Sequence, residues 1–348
     1  MKKSIKRLLV AGSSFLLAAP LLVTPVTTNA ASSKKSVAAT NNKRLSNYAT
    51  KMLTTNKVGL SGQAKKTPIF SRSMYKTTGA ASGYSDFLLG LKGNGYKFTT
   101  TQRNLVQKNL VINKKSTAAD LANAIVAVSA VGFKPTSYKV YGKYNTNLVS
   151  RLYQQNMTKQ TVNVASQALI ALSSNSFSRP KNAKFTKASL TNQIVKDQQK
   201  NGGWSYNNQV ATTDSDTTSM AMIALARSKY TTAHVKKSMT NGLGFLKGSI
   251  ATNGAFGYVF NGKTTLNANS TAESIIALST KKATSKYVAK AKLNSKQKRT
   301  PLTAMYSYVN KTGSIKGAAS QLLGVGQVNL AVAAYKQALK SKSVYNLK

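Results

Sequence analysis

The stretch Thr117–Gly132, TAADLANAIVAVSAVG, has apolar or small residues on nearly every face when wound as a helix, the pattern of a helix buried all round. Relatives of it recur along the chain: TVNVASQALIALSS from Thr161, DTTSMAMIALARSK from Asp216, STAESIIALSTKK from Ser270 and QVNLAVAAYKQAL from Gln327, with a weaker first copy, YSDFLLGLKGNG, from Tyr84. Self-similarity at this spacing is the mark of a repeat architecture. Before each copy lies a more polar segment with a single apolar stripe, clearest at Val235, Met239, Leu243 and Leu246, where Lys236 and Lys237 fall off the stripe. A half-buried helix followed by a fully buried one, six times over, predicts an all-α domain over 45–348. The expected form is an α/α toroid with six inner and six outer helices, whose closure leaves no terminal repeat to cap.

The loops NGGW (Asn201–Trp204) and NGAFGY (Asn253–Tyr258) fall between an outer and an inner segment, where glycine ends a helix in the left-handed conformation and aromatic rings pack over the turn. Gln199, Gly202, Gly203 and Trp204 resemble the glutamine–tryptophan repeat of squalene and other terpenoid cyclases. The D-x-D-x-T of Asp214–Thr218 leading into MAMIALA, with NANSTAESIIAL (Asn267–Leu278), resembles the prenyltransferase-like α/α toroid of secreted Gram-positive surface proteins, a relative of the cobalamin carriers intrinsic factor and transcobalamin. The resemblance runs from about Leu45 to Lys348. It implies a fold more than an activity, because this architecture hosts cyclases, protein prenyltransferases, polysaccharide lyases, thioester domains and vitamin carriers.

Five of the six acids, Asp86, Asp120, Asp214, Asp216 and Glu273, stand at or near the expected starts of inner helices. One reading makes them caps: Thr117 with Asp120, and Ser270 with Glu273, have capping-box spacing or near it, and a carboxylate there meets orphan N–H groups and the positive helix end. A second, compatible reading gathers them on one mouth of the ring, since parallel inner helices bring their starts together. There Trp204, Tyr206, Asp214, Asp216, Phe256, Tyr258, Asn269 and Glu273 would form a ligand site with aromatic walls.

Chemistry is less favoured. In the D-x-D-D-T-A motif of class II terpenoid cyclases the middle aspartate donates a proton. Asp216 matches it, with Asp214 beside it, but Thr217 replaces the last aspartate, and one tryptophan and ten phenylalanines leave few rings to stabilise carbocations. A polysaccharide lyase would need Tyr206 or Tyr258 as base. With no cysteine and His234 as the lone histidine, the zinc site of protein prenyltransferases cannot be assembled, and neither a metal nor another cofactor is expected. In the vitamin carriers a small β domain closes over the ligand. A cobalamin-type role here would need that lid from a separate chain, and the sixth repeat also lacks the acid of its relatives.

Residues 1–30 read as an export leader: Lys2, Lys3, Lys6 and Arg7, an apolar run from Leu8 to Val26, then small residues before Ala31. Residues 31–44 read as a flexible basic linker. After cleavage no membrane span is expected, and the chain would be secreted or wall-associated. The formal net charge is +45, which suits a polyanionic partner such as a teichoic acid-like wall polymer. Only eight of 51 basic residues are arginine, so specific nucleic-acid reading is not expected. Lys281, Lys282, Lys286, Lys290, Lys292, Lys296, Lys298 and Arg299, with no acid among them, are the candidate polyanion-binding group. The expectation is a non-catalytic, cationic surface binding protein that also holds a ligand at the ring's mouth.

Overall fold

A computed structural model describes residues 26–55, 83–110, 112–140, 144–289 and 293–348. The chain divides into two compact units, Met1–Ala39 and Thr40–Lys348, and the second carries everything discussed below. Residues 1–25, most of the expected leader, lie outside the described residues. The expected linker does not stand apart from helical structure: α1 (Val26–Thr55) runs through it. Within the second unit Leu45, Ala49, Met52 and Leu53 form a buried stripe at helical spacing.

The rest is built from helices. In chain order they are α2 (Tyr84–Gly93), α3 (Thr100–Asn109), α4 (Ala118–Ala130), α5 (Leu148–Tyr153), α6 (Val162–Ser173), α7 (Lys187–Lys196), α8 (Ser215–Ser228), α9 (Ala233–Ser249), α10 (Ala268–Leu278), α11 (Lys282–Ala289), α12 (Pro301–Ser307) and α13 (Gln321–Leu339). Strand is confined, among the described residues, to three small antiparallel hairpins, β1 (Tyr138–Lys139) with β2 (Asn145–Thr146), β3 (Trp204–Ser205) with β4 (Thr213–Asp214), and β5 (Gly257–Phe260) with β6 (Lys263–Leu266). Among the described residues no helix is long and apolar enough to cross a membrane.

All six repeated segments are helical, as α2, α4, α6, α8, α10 and α13, and all six are buried along most of their length. Their order of packing is cyclic: α2 packs on α4, α4 on α6, α6 on α8, α8 on α10, α10 on α13 and α13 back on α2. The last pairing is the most intimate. A methyl at Gly90 of α2 would sit 2.8 Å from the Leu330 backbone nitrogen, and one at Gly326 of α13 would sit 2.9 Å from the Phe87 nitrogen. Glycine in mid-helix costs about 1 kcal/mol in propensity, and here it lets two backbones touch. The amphipathic helices lie against this set, α5 on α4, α7 on α6 and α8, α9 on α8, and both α11 and α12 on α10. The expected one-to-one alternation therefore breaks before the last repeat, where two short helices stand in for one.

The two glycine loops have a structural duty. Gly202 (φ +87°) and Gly254 (φ +84°) take the left-handed turn that favours glycine, and the following aromatics, Trp204 and Phe256, are fully buried. Each ring is fixed by the same backbone bond. Trp204 N donates to Thr218 Oγ1 of α8 at 2.9 Å, and Phe256 N donates to Thr271 Oγ1 of α10 at 3.0 Å. A third copy, Thr312–Ile315, puts buried Ile315 in the ring's place, with its N–H donating to Gln321 Oε1 at 2.7 Å.

Candidate functional site

The N-termini of the buried helices differ from their expected starts in ways that decide the site. At α4 the capping box holds as expected, with Asp120 N donating to Thr117 Oγ1 at 3.2 Å and Thr117 N to Asp120 Oδ2 at 2.9 Å. At α8 the cap is Asp214, whose Oδ1 accepts from Thr217 N at 2.8 Å. At α10 the cap is Asn267, accepting from Ser270 N at 2.8 Å, so the expected Ser270–Glu273 box does not form. The helix starts three residues earlier because extended Asn267 offers a carbonyl oxygen to the N3 amide. That shift carries Glu273 into the second turn, away from any capping role. Asp216, similarly, is inside the first turn of α8, not at its cap.

Asp86, Asp216 and Glu273 meet instead around a cavity of about 280 Å³ to which each of the six buried helices contributes. Ser85 and Asp86 come from α2, Asn123 and Val126 from α4, Gln167 and Ile170 from α6, Asp216 and Met220 from α8, Asn269 and Glu273 from α10, Leu323 and Gln327 from α13. Tyr345 joins them from the C-terminal segment. That segment is tied down by Leu347 N donating to Ser174 O at 2.9 Å and Asn175 Nδ2 donating to Leu347 O at 3.3 Å.

A polar network knits the lining across helices. Ser270 Oγ donates to Asp216 Oδ2 at 3.2 Å, joining α10 to α8. Asn269 Nδ2 donates to Gln327 Oε1 at 2.5 Å, joining α10 to α13. With its oxygen so used, Gln327 has its amide N–H groups left for the carboxylate of Asp86, with which it is hydrogen-bonded. Glu273, only 7 % exposed, accepts no hydrogen bond among the described residues. Gln167 Oε1 is likewise buried without a donor.

Burial sets the protonation of these acids. Desolvation pushes the Asp86 carboxyl up to about 6, with the Gln327 hydrogen bond pulling the other way. Asp216 rises to about 7, first from desolvation and then from the neighbouring Asp214 charge, against the Ser270 hydrogen bond. Glu273 is raised well above its ordinary value by burial, and by Asp86 and Asp216 in turn. The Tyr345 hydroxyl is raised too, by burial and then by Glu273 and Asp86. Each case has desolvation as the leading cause; the three acids lose water without gaining a cation, while at Tyr345 the Arg227 guanidinium opposes the rise. The cavity is a place where protons are held near neutrality.

No protein-family model matches the chain, and no curated protein matches it.

Of the eight residues expected at the mouth, three line the cavity: Asp216, Asn269 and Glu273. Asp214 is 5 % exposed and occupied as a cap. Trp204 and Phe256 offer no face to a ligand, being wholly inside the core, with Trp204 Nε1 donating to Ile194 O at 2.6 Å. Tyr206 and Tyr258 are 44 % and 40 % exposed and do not line the cavity. The expected aromatic wall therefore does not form, and the lining is mainly carboxyl, amide and aliphatic. Sequence reasoning passed over Asn123, Gln167, Gln327 and Tyr345. Gln327 had a visible clue, since it opens the sixth copy where an acid was missing.

Lys281, Lys282, Lys286, Lys296, Lys298 and Arg299 all reach solvent to some degree; Lys290 and Lys292 lie outside the described residues. The basic segment is one-sided, with Ser285 and Val288 of α11 buried. Buried Gln297 pins the loop beyond it, accepting from Leu293 N and donating to Arg299 O, both at 2.6 Å. Lys286 and Lys247 both stand over the Tyr287 ring at 5.3 Å. His234 is exposed at the start of α9, and among the described residues no group of histidine and acidic side chains could hold a metal ion.

Proposed function

We propose that the chain is a secreted, cationic, non-catalytic binding protein that adheres to anionic wall polymer of the teichoic acid type. Its fold, on this reading, is a prenyltransferase-like α/α toroid, supported by the cyclic packing of α2, α4, α6, α8, α10 and α13. The observation that carries the function is where the acids stand. Asp86, Asp216 and Glu273 line the cavity and Asp214 is buried as a cap, so four of six acids are spent on a cavity or a cap rather than spread over the surface of a chain with 51 basic residues. Little remains on that surface to offset the lysines, and the field outside stays positive.

The test is elution from purified cell walls against salt. Adhesion by counterion release falls steeply with ionic strength, and retention at about 1 M salt, where the Debye length is about 3 Å, would overturn it. Binding to neutral glycan alone would do the same.

A second reading has one observation in its favour. Asp216, the match to the cyclase proton donor, faces the cavity with its carboxyl near 7, a value suited to general acid work. If the chain is such an enzyme, Asp216→Asn abolishes turnover of an isoprenoid substrate; a binding protein shows no turnover to lose. The lyase alternative gains nothing, because Tyr206 and Tyr258 stand apart from the cavity. A cobalamin-type role would still require a separate β-domain lid.

A further inference from the structure

The cavity among the six buried helices offers a ligand a particular kind of unmet capacity. Its carboxyl groups are acceptors alone once ionised, and the buried Gln167 amide oxygen is without a donor. Glu273 is the sharpest case, more than nine-tenths buried, aimed into the cavity and without any hydrogen bond among the described residues. A buried carboxylate left so is costly unless something pairs with it. Asn269 Nδ2 is already spent on Gln327 Oε1, and no lysine, arginine or histidine is among the lining residues, so what the three acids lack is a cation. Val126, Ile170, Met220 and Leu323 complete the wall with apolar surface.

From three acids without a cation among them, one of them unpaired, we infer that the cavity is a binding site for a small organic cation, a primary ammonium or amidinium with an apolar body, whose N–H groups pair with Glu273, Asp216 and Asp86. Two features separate this class from others. The acids do not converge as metal ligands do, so the charge they share is spread over several N–H directions rather than focused on one ion. A neutral ligand of the same shape would leave the carboxylates unpaired, and an anion would be repelled by them. The volume of about 280 Å³ admits a ring with a one-carbon ammonium arm. Because the acids hold protons near neutrality when the cavity is empty, binding the cation displaces protons to solvent. The inference rests on the cavity taking a ligand and is independent of wall adhesion.

The experiment is isothermal titration at about pH 7.5, above the raised Asp216 value, with benzylamine as the cationic probe and benzyl alcohol as its neutral counterpart. One benzylamine should bind per chain, with heat that changes between buffers of different ionisation enthalpy, and benzyl alcohol should bind at least about tenfold more weakly. Glu273→Gln should weaken benzylamine about tenfold or more, the usual scale for a lost charge-assisted hydrogen bond, while Asp197→Asn, an acid outside the cavity, should leave it unchanged. Asp216→Asn provides the second cavity variant should Glu273→Gln fail to fold. No benzylamine binding at about 10 mM, a concentration that detects even millimolar affinity, would overturn the inference. So would equal binding of the alcohol, or indifference to both cavity variants. Salt elution from walls, unaffected by any of these, keeps the adhesion reading separately testable.

Discussion

Replacing Asp216 by asparagine should make the protein more stable, and increasingly so as pH rises. In the folded chain the Asp216 carboxyl is raised from its ordinary 3.8 to about 7. When unfolded it ionises near 3.8, so between these values folding takes up a proton. A group raised in this way contributes nothing against folding below its unfolded pKa, and its cost grows as pH climbs through the folded value. The full difference corresponds to about 4 kcal/mol at about pH 8, an upper figure because the cavity lets water approach one side. Asparagine does not titrate, and its Oδ1 keeps the acceptor that Ser270 Oγ uses at 3.2 Å. Removing the charge also eases ionisation of Glu273, which feels Asp216, adding in the same direction. Urea unfolding of both proteins from about pH 4 to about pH 8 gives the answer, and the lysines cancel because they are common to both proteins. A difference that is flat with pH, or a variant less stable than the parent at the alkaline end, would refute the placement of Asp216 beside a dehydrated cavity.

Other perturbations read other parts of the structure. Thr218→Val removes the acceptor of Trp204 N and should cost about 1–3 kcal/mol in chemical denaturation, the scale of a buried donor left unpaired; Thr271→Val should do the same at Phe256. Gly254→Ala forces alanine into φ +84° against the backbone of Arg299 and Thr300, and the left-handed strain alone is about 1–2 kcal/mol, read as a lower melting temperature. Changing Lys281, Lys282, Lys286, Lys296, Lys298 and Arg299 together to glutamine should flatten the salt dependence of wall binding, by about 0.7–0.9 in log–log slope for each phosphate that no longer meets a cation, with melting temperature unchanged. An unaltered slope would remove this face from the adhesive surface.

The helical pairs were legible because burial all round leaves a compositional trace, and Thr117–Gly132 shows it without help from any neighbour. The site was half legible. Scarcity made the acids conspicuous, but their roles turned on helix starts that differ by two or three residues, and at α10 Asn267 outcompeted Ser270 for the cap. That single shift turned Glu273 from a surface cap into a buried cavity wall. The aromatics misled for a related reason. Rings beside glycine turns look like a ligand wall, yet the Trp204 and Phe256 amides find threonine hydroxyls on the next helix, which draws both rings into the core. Two of the small hairpins left no trace, since two-residue strands such as Trp204–Ser205 are set by turn geometry rather than by alternation; the third is marked by Asn261–Gly262 between β5 and β6, the dipeptide a tight hairpin turn favours.

All of this depends on the first and last buried helices meeting, for only then do the six helices surround a cavity for the acids to face. The absence of native cysteine allows a clean test with Asn94→Cys and Lys336→Cys, whose parent side chains touch, Lys336 Nζ donating to Asn94 Oδ1 at 3.2 Å across 242 positions of sequence. A short bis-maleimide added to the dilute protein should give one intramolecular cross-link, seen as a single bridging adduct by mass and, after digestion, as a peptide linking the two new cysteines. Two separate adducts per chain, or products only between chains, would mean that α2 and α13 do not meet and that the cavity does not exist.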